Sequence, residues 1–155
     1  MKHSIAIALI LALPLLAAAT DSKVEGKFIV GGTDAQLKHV RAKRVKLDEK
    51  GKQGYAVLLS ARPSTGDILE WRTKEPSERG SFIVALFEAN GAVWVAELGH
   101  IKARSGRFGV VTELQTVSFN VRDDGLMVHV KTDGDQLFTQ DTYNVDLTFA
   151  TPLEK

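Results

Sequence analysis

Past the first twenty residues the chain carries three histidines, His39, His100 and His129, each in or at the end of a different strand-like segment. Three imidazoles can converge on one zinc ion. No two of them stand at i, i+2, where a strand would put both rings on one face, so they read as ordinary half-exposed strand residues and no metal ligand set is assigned. Cysteine is absent. That removes thiol catalysis, zinc–thiolate sites, disulfide staples and the lipid-bearing cysteine of a lipoprotein. Asp133 and Asp135 flank Gly134, but the D-x-D-x-D-G-x₅-E order of a calcium loop is missing, and the stretch reads as a solvated turn. There is no G-x-S-x-G elbow, no H-E-x-x-H helix and no phosphate-cradling glycine loop. A serine–histidine–carboxylate set is assembled by the fold rather than by spacing, and nothing here points to one. The expectation is a protein that is not an enzyme and uses no cofactor.

Charge is the more unusual feature. Between Lys38 and Lys52 seven bases, among them Arg41 and Arg44, face only Asp48 and Glu49, whereas Asp123 to Lys155 holds seven acids and two bases. A basic ribbon of this kind can grip an acidic partner. It lacks the interleaved aromatics that single-stranded nucleic acid would stack on, so nucleic acid is not an expected partner. Long basic side chains also protect an exposed edge strand from pairing, and that reading is preferred for the ribbon. The second candidate surface is the loop Gly99–Gly109, where His100, Arg104, Arg107 and Phe108 lie between two strand-like runs. Trp71 and Trp94 are flat enough to hold a sugar. Both are expected in the core, Trp94 because it alternates with Ala96 and Leu98, and Trp71 as the knob that seats a short helix.

These residues must be positioned by strands. Phe28-Ile29-Val30 is broken by Gly31-Gly32-Thr33-Asp34, which reads as a tight hairpin turn. A second strand is expected from about Leu37 to Leu47, a polar loop to Gly54, and a third strand from Tyr55 to Ala61. Asp67 and Glu70 have the spacing of a capping box, which with Ile68, Leu69 and Trp71 predicts a two-turn helix stopped by Pro76. Phe82 to Phe87 and Val93 to Leu98 flank Asn90-Gly91, a hairpin signal in which both turn positions need positive φ. Both faces of that hairpin are apolar, so the short helix or another subunit must cover one of them. Further strands are expected around Val117–Val121, Met127–Val130 and Tyr143–Phe149, the last alternating cleanly. The expected fold is all-β, an antiparallel sandwich or small barrel of about eight strands with one short helix.

The chain opens with Met1-Lys2-His3, an almost unbroken apolar run from Ile5 to Leu16, and Ala17-Ala18-Ala19. Basic start, apolar centre and small-residue end in that order predict a signal peptide over residues 1–19, cut after Ala19. An apolar run of about a dozen residues is short of the roughly 20 needed to cross a bilayer, so no membrane insertion is expected after cleavage. Residues 20–155 then form a single β domain, periplasmic or secreted. Without Lys2 it holds 19 bases and 19 acids, so bulk attraction to polyanions is not implied.

Gly26-Lys27-Phe28-Ile29-Val30-Gly31-Gly32, Leu37-Lys38-His39-Val40-Arg41-Ala42 and Tyr143-Asn144-Val145-Asp146-Leu147-Thr148-Phe149 together resemble a loose group of uncharacterised exported bacterial small β-domain proteins. The resemblance implies an all-β domain outside the cytoplasm and carries no known activity. The function expected is a non-enzymatic binding protein with a protein partner, in one version an inhibitor or immunity-type binder of an envelope or secreted protein. The expected binding residues are His100, Arg104, Arg107, Phe108, Arg41 and Arg44. A small apolar ligand carrier and an enzyme of unrecognised type are the alternatives, and a homo-oligomer is compatible with the two-sided apolar hairpin.

Overall fold

The structure is a computed structural model in which residues 20–155 are described; the expected signal peptide lies outside the described residues. Gly31 and Gly32, at φ +54° and +81°, turn strand β1 (Lys23–Val30) back on β2 (Thr33–Asp34), with Val30 opposite Thr33. Both turn residues need positive φ in this two-residue loop, which glycine supplies without strain. Strands β3 (His39–Lys46) and β4 (Gln53–Ser60) form the next hairpin over their full length. β5 (Phe82–Glu88) and β6 (Val93–Gly99) pair as expected, but the turn is longer than two residues. Gly91 N donates to Glu88 O at 2.9 Å and Glu88 N to Ala92 O at 2.8 Å, and only Gly91 of the turn has positive φ. A type I turn closed by a glycine bulge replaces the expected two-residue form. β7 (Arg107–Val111), β8 (Gln115–Arg122), β9 (Gly125–Lys131), β10 (Gln136–Phe138) and β11 (Asp141–Glu154) complete the described strands.

β11 organises them. Along one side it pairs antiparallel with β1, along the other with β10 and then β9, and its last residues, Leu153 and Glu154, run parallel to Ala42 and Lys43 of β3. The sheet therefore continues as β2-β1-β11-β3-β4-β5-β6-β7, eight strands that curl over one apolar interior, with the β8–β9 hairpin branching from β11. The all-β fold expected from the sequence is the fold found. Alternate residues such as Phe28, Val57, Phe87, Phe108, Val145 and Phe149 meet inside.

The second face of β5 is covered from within the chain. Ala56, Leu58, Phe82, Val84 and Leu86 pack beneath Ile68 and Trp71, which belong to a 3₁₀ helix, Ile68–Thr73. Asp67 does cap it, accepting from Leu69 N at 2.8 Å and from Lys43 Nζ at 2.7 Å. The helix is 3₁₀ because two side chains three residues apart must point at one sheet, and three residues per turn eclipse i and i+3. Pro76 does not stop it. Lys74 ends the 3₁₀ turn, and Pro76 opens the single-turn helix α1 (Pro76–Arg79), where its missing N–H costs nothing.

Trp71 is buried and stands edge-on to Phe82, as expected of a seating knob. Trp94 is not core. Leu86 pairs with Val95 and Phe87 with Val93, so Trp94 is the extra residue of a bulge; the alternation with Ala96 breaks there and the ring emerges 44% exposed. Lys52 Nζ lies 4.5 Å from its centre. The basic ribbon is an edge only in part: β4 runs along one side of β3, and on the other side the end of β11 pairs with Ala42 and Lys43. Arg41 is spent on Glu154, Ser64 and Gly66 O, and Lys43 on Asp67.

Gly26 marks a close approach. At φ +110°, its added Cβ would stand 2.1 Å from Asp146 O on β11. Gly26→Ala is expected to cost about 2–4 kcal/mol, from positive φ plus overpacking. A lowered urea midpoint at unchanged m-value checks it.

Candidate binding loop

Between β6 and β7 the chain leaves the sheet at Gly99, where a Cβ would meet the Phe82 ring at 2.6 Å and Pro76 at 2.7 Å. The segment His100–Gly106 is closed at its base by His100 N donating to Gly106 O at 3.0 Å. Inside it, Ala103 N donates to His100 O and Gly106 N to Ala103 O. Gly106, at φ +69°, makes the return.

Three further amides are taken by side chains, one from the loop itself and two from elsewhere in the fold. Ile101 N donates to Ser81 Oγ at 3.1 Å, Lys102 N to His100 Nδ1 at 3.0 Å, and Arg104 N to Asp141 Oδ2 at 3.0 Å. All three acceptors are buried, with 1% of Ser81, none of His100 and 7% of Asp141 exposed. Buried polar groups are tolerated when paired, so these side chains are held beneath the loop by the loop's own backbone.

His100 is the centre of this support. Its ring stands edge-on to Phe28, with centroids 5.1 Å apart and planes at 88°. With Nδ1 accepting, the neutral ring carries its proton on Nε2, which has no hydrogen-bond partner among the described residues. Burial pushes its pKa below the usual histidine value, and Lys102 adds to that; the Thr33 backbone and the carboxylates of Asp34 and Asp141 pull the other way without overcoming it.

Outward the loop shows Ile101, 58% exposed, together with Lys102, Arg104 and Ser105. Arg104 Nη1 donates to Gln140 Oε1 at 3.1 Å, and Arg104, Ser105, Thr139 and Gln140 line a shallow cleft. Thr139 has φ +52°, strained for a β-branched residue.

The predicted residues are thus divided. Arg104 is on the surface, whereas His100 and Phe108 lie beneath the loop, Phe108 against Phe28, Phe138 and Tyr143. Arg107 sits at the base, 3.9 Å from buried Glu97, which Arg72 holds at 2.7 Å. Arg41 and Arg44 are engaged elsewhere, Arg44 over Tyr55. Ser81 and Asp141 were not foreseen; they stand 20 and 37 residues from the amides they hold, and no local pattern marks them. The histidines do not assemble. His129 Nε2 bonds Asp146 at 2.7 Å, His39 opens β3, and among the described residues no three His, Asp or Glu side chains are placed to hold a metal ion.

The comparisons with known proteins add no relative. The chain matches no family model, no curated protein and no solved structure. What the loop can do therefore follows from its geometry: it offers one exposed apolar side chain, Ile101, followed by two exposed bases, Lys102 and Arg104, on a backbone held by hydrogen bonds to buried side chains.

Proposed function

We propose that the chain is an exported, non-enzymatic binding protein that presents the loop His100–Gly106 to a protein partner. The observation that carries this is the bracing of the loop: three buried side chains hold its amides while Ile101, Lys102, Arg104 and Ser105 stay in water. Fixing a loop in advance removes ordering entropy from association, and buried polar groups are spent here on a surface segment that the core does not need. Exposed Ile101 next to Lys102 and Arg104 fits an apolar pocket with acidic groups on one side of its rim. An inhibitor or immunity-type protein that seats one loop in a hydrolase cleft is the concrete form of this reading. Export rests on the order of charges and apolar residues at the start of the chain and on the resemblance to exported β proteins. A carrier is supported less, because aromatic rings fill the interior.

Capture from envelope and culture extract, with a photo-crosslinking residue at Ser105, tests it. The expected result is one stoichiometric protein crosslinked through the loop, its affinity lowered about 30-fold or more by Ile101→Asp with Arg104→Ala. Arg107 is left intact because it helps neutralise Glu97. Equal retention by the double variant overturns the assignment.

A further inference from the structure

The start of the described chain lies against the β8–β9 turn. Thr20 N donates to Asp124 Oδ2 at 2.9 Å and Thr20 Oγ1 to Asp124 Oδ1 at 3.2 Å, so both carboxylate oxygens face one residue. Asp124 O accepts from Leu153 N at 2.9 Å, which ties the same turn to the end of β11. Gly125 makes room for this arrangement, since a Cβ there would stand 2.6 Å from Thr151 O and 2.8 Å from Thr20 Oγ1. Among the described residues no lysine or arginine forms an ion pair with Asp123 or Asp124.

An amide N–H uses little of what such a carboxylate offers. Cleavage after Ala19, the position the sequence predicts, turns Thr20 N into an ammonium group at the same place. We propose that Asp124 is the receptor for the N-terminal ammonium created by removal of the signal peptide, so that maturation adds an ion pair clamping the new N-terminus to the β8–β9 turn and the end of β11. The proposal rests on the export reading given above. The hydrolysis consumes one water: the Ala19 carbonyl leaves as a carboxylate, and the Thr20 nitrogen is released as an amine that takes up a proton at neutral pH.

Several other groups face the cleft. Arg122 ends β8 just before the turn, and Asp123, Arg44, Glu154 and Lys155 line the same depression as Asp124. The Thr20 amide is the main reason that the Asp124 carboxyl lies below its ordinary value, so the acid is ionised when the ammonium forms. The ammonium in turn has its pKa raised by the carboxylate. Its stabilisation is then complete below the unfolded amine's value, about 8, and is lost as pH rises through the folded value.

The described residues 20–155 hold the whole described core, so they can be prepared with Thr20 exposed by a removable tag. The α-amine pKa is read by NMR in that chain, in one retaining Ala19, and in the Asp124→Asn form of each. The expected result is a rise of about half a unit over the usual 7.7–8.0 in the Thr20 chain alone, the size an exposed ion pair gives. An ordinary value there, or a raised one that survives Asp124→Asn, overturns the receptor. The N-terminal mass of the protein recovered outside the cytoplasm of expressing cells tests the other half. A terminus other than Thr20 overturns the maturation step, whereas a Thr20 terminus bearing an ordinary amine overturns Asp124 and leaves export standing.

Discussion

His100→Ala is expected to cost about 2–4 kcal/mol, because it opens a cavity beside Phe28 and orphans the Lys102 amide. The loop should open with it, seen as faster hydrogen exchange at Ile101, Lys102 and Arg104. Asn at position 100 separates the two losses, since its Oδ1 can occupy the place of Nδ1 and keep the Lys102 bond while the ring's packing is lost. The same pair exposes a pH dependence. His100 is held neutral by burial, against the pull of Asp34 and Asp141, so the folded protein binds its proton less readily than the unfolded chain does. Its contribution is therefore complete above the unfolded value of about 6.5 and is lost as pH falls below it, at no more than about 1.4 kcal/mol per pH unit. Protonation at Nδ1 would also point a donor at the Lys102 amide, which breaks the brace. Urea midpoints at pH 7.5 and 5.5 should fall further for the parent than for His100→Asn. Equal falls would show that other groups carry the acid sensitivity.

What the sequence shows of this molecule is its local periodicity. Tyr143, Val145, Leu147 and Phe149 alternate on paper and in the core, and Gly31-Gly32 announces a turn that only positive φ can make. Trp94 shows how that reasoning fails: one bulge shifts the register by a residue, and a side chain read as core comes out into solvent. The end of β11 was also illegible. Nothing in Pro152-Leu153-Glu154 says that it will lie parallel to β3, a pairing set by the bend of the whole sheet. The candidate loop was half legible. Its glycines and bases stand out in the sequence, but the residues that make it rigid, Ser81 and Asp141, reach it only through the fold. The same distance explains why His100 and Phe108 read as binding residues although they work from underneath.

Phe108→Ala is expected to have the largest effect of any single truncation at this end of the molecule, about 3–5 kcal/mol. The ring is fully buried and touches Phe28 of β1, Phe138 of β10 and Tyr143 of β11, so one side chain from β7 joins three other strands. Tyr143 is itself pinned from outside, its hydroxyl donating to Glu113 Oε2 at 3.0 Å, and cannot swing in to fill the gap without giving up that bond. Leu58→Ala, in the layer beneath the 3₁₀ helix, should cost about 2–5 kcal/mol by the same mechanism without touching these rings. The two variants therefore separate global stability from support of the loop. Compared at urea concentrations where both are equally stable, Phe108→Ala should speed amide exchange at Lys102 and Arg104, while Leu58→Ala does not. If both loosen the loop alike, its conformation belongs to the fold as a whole, and its rigidity was not built by the aromatic cluster under it.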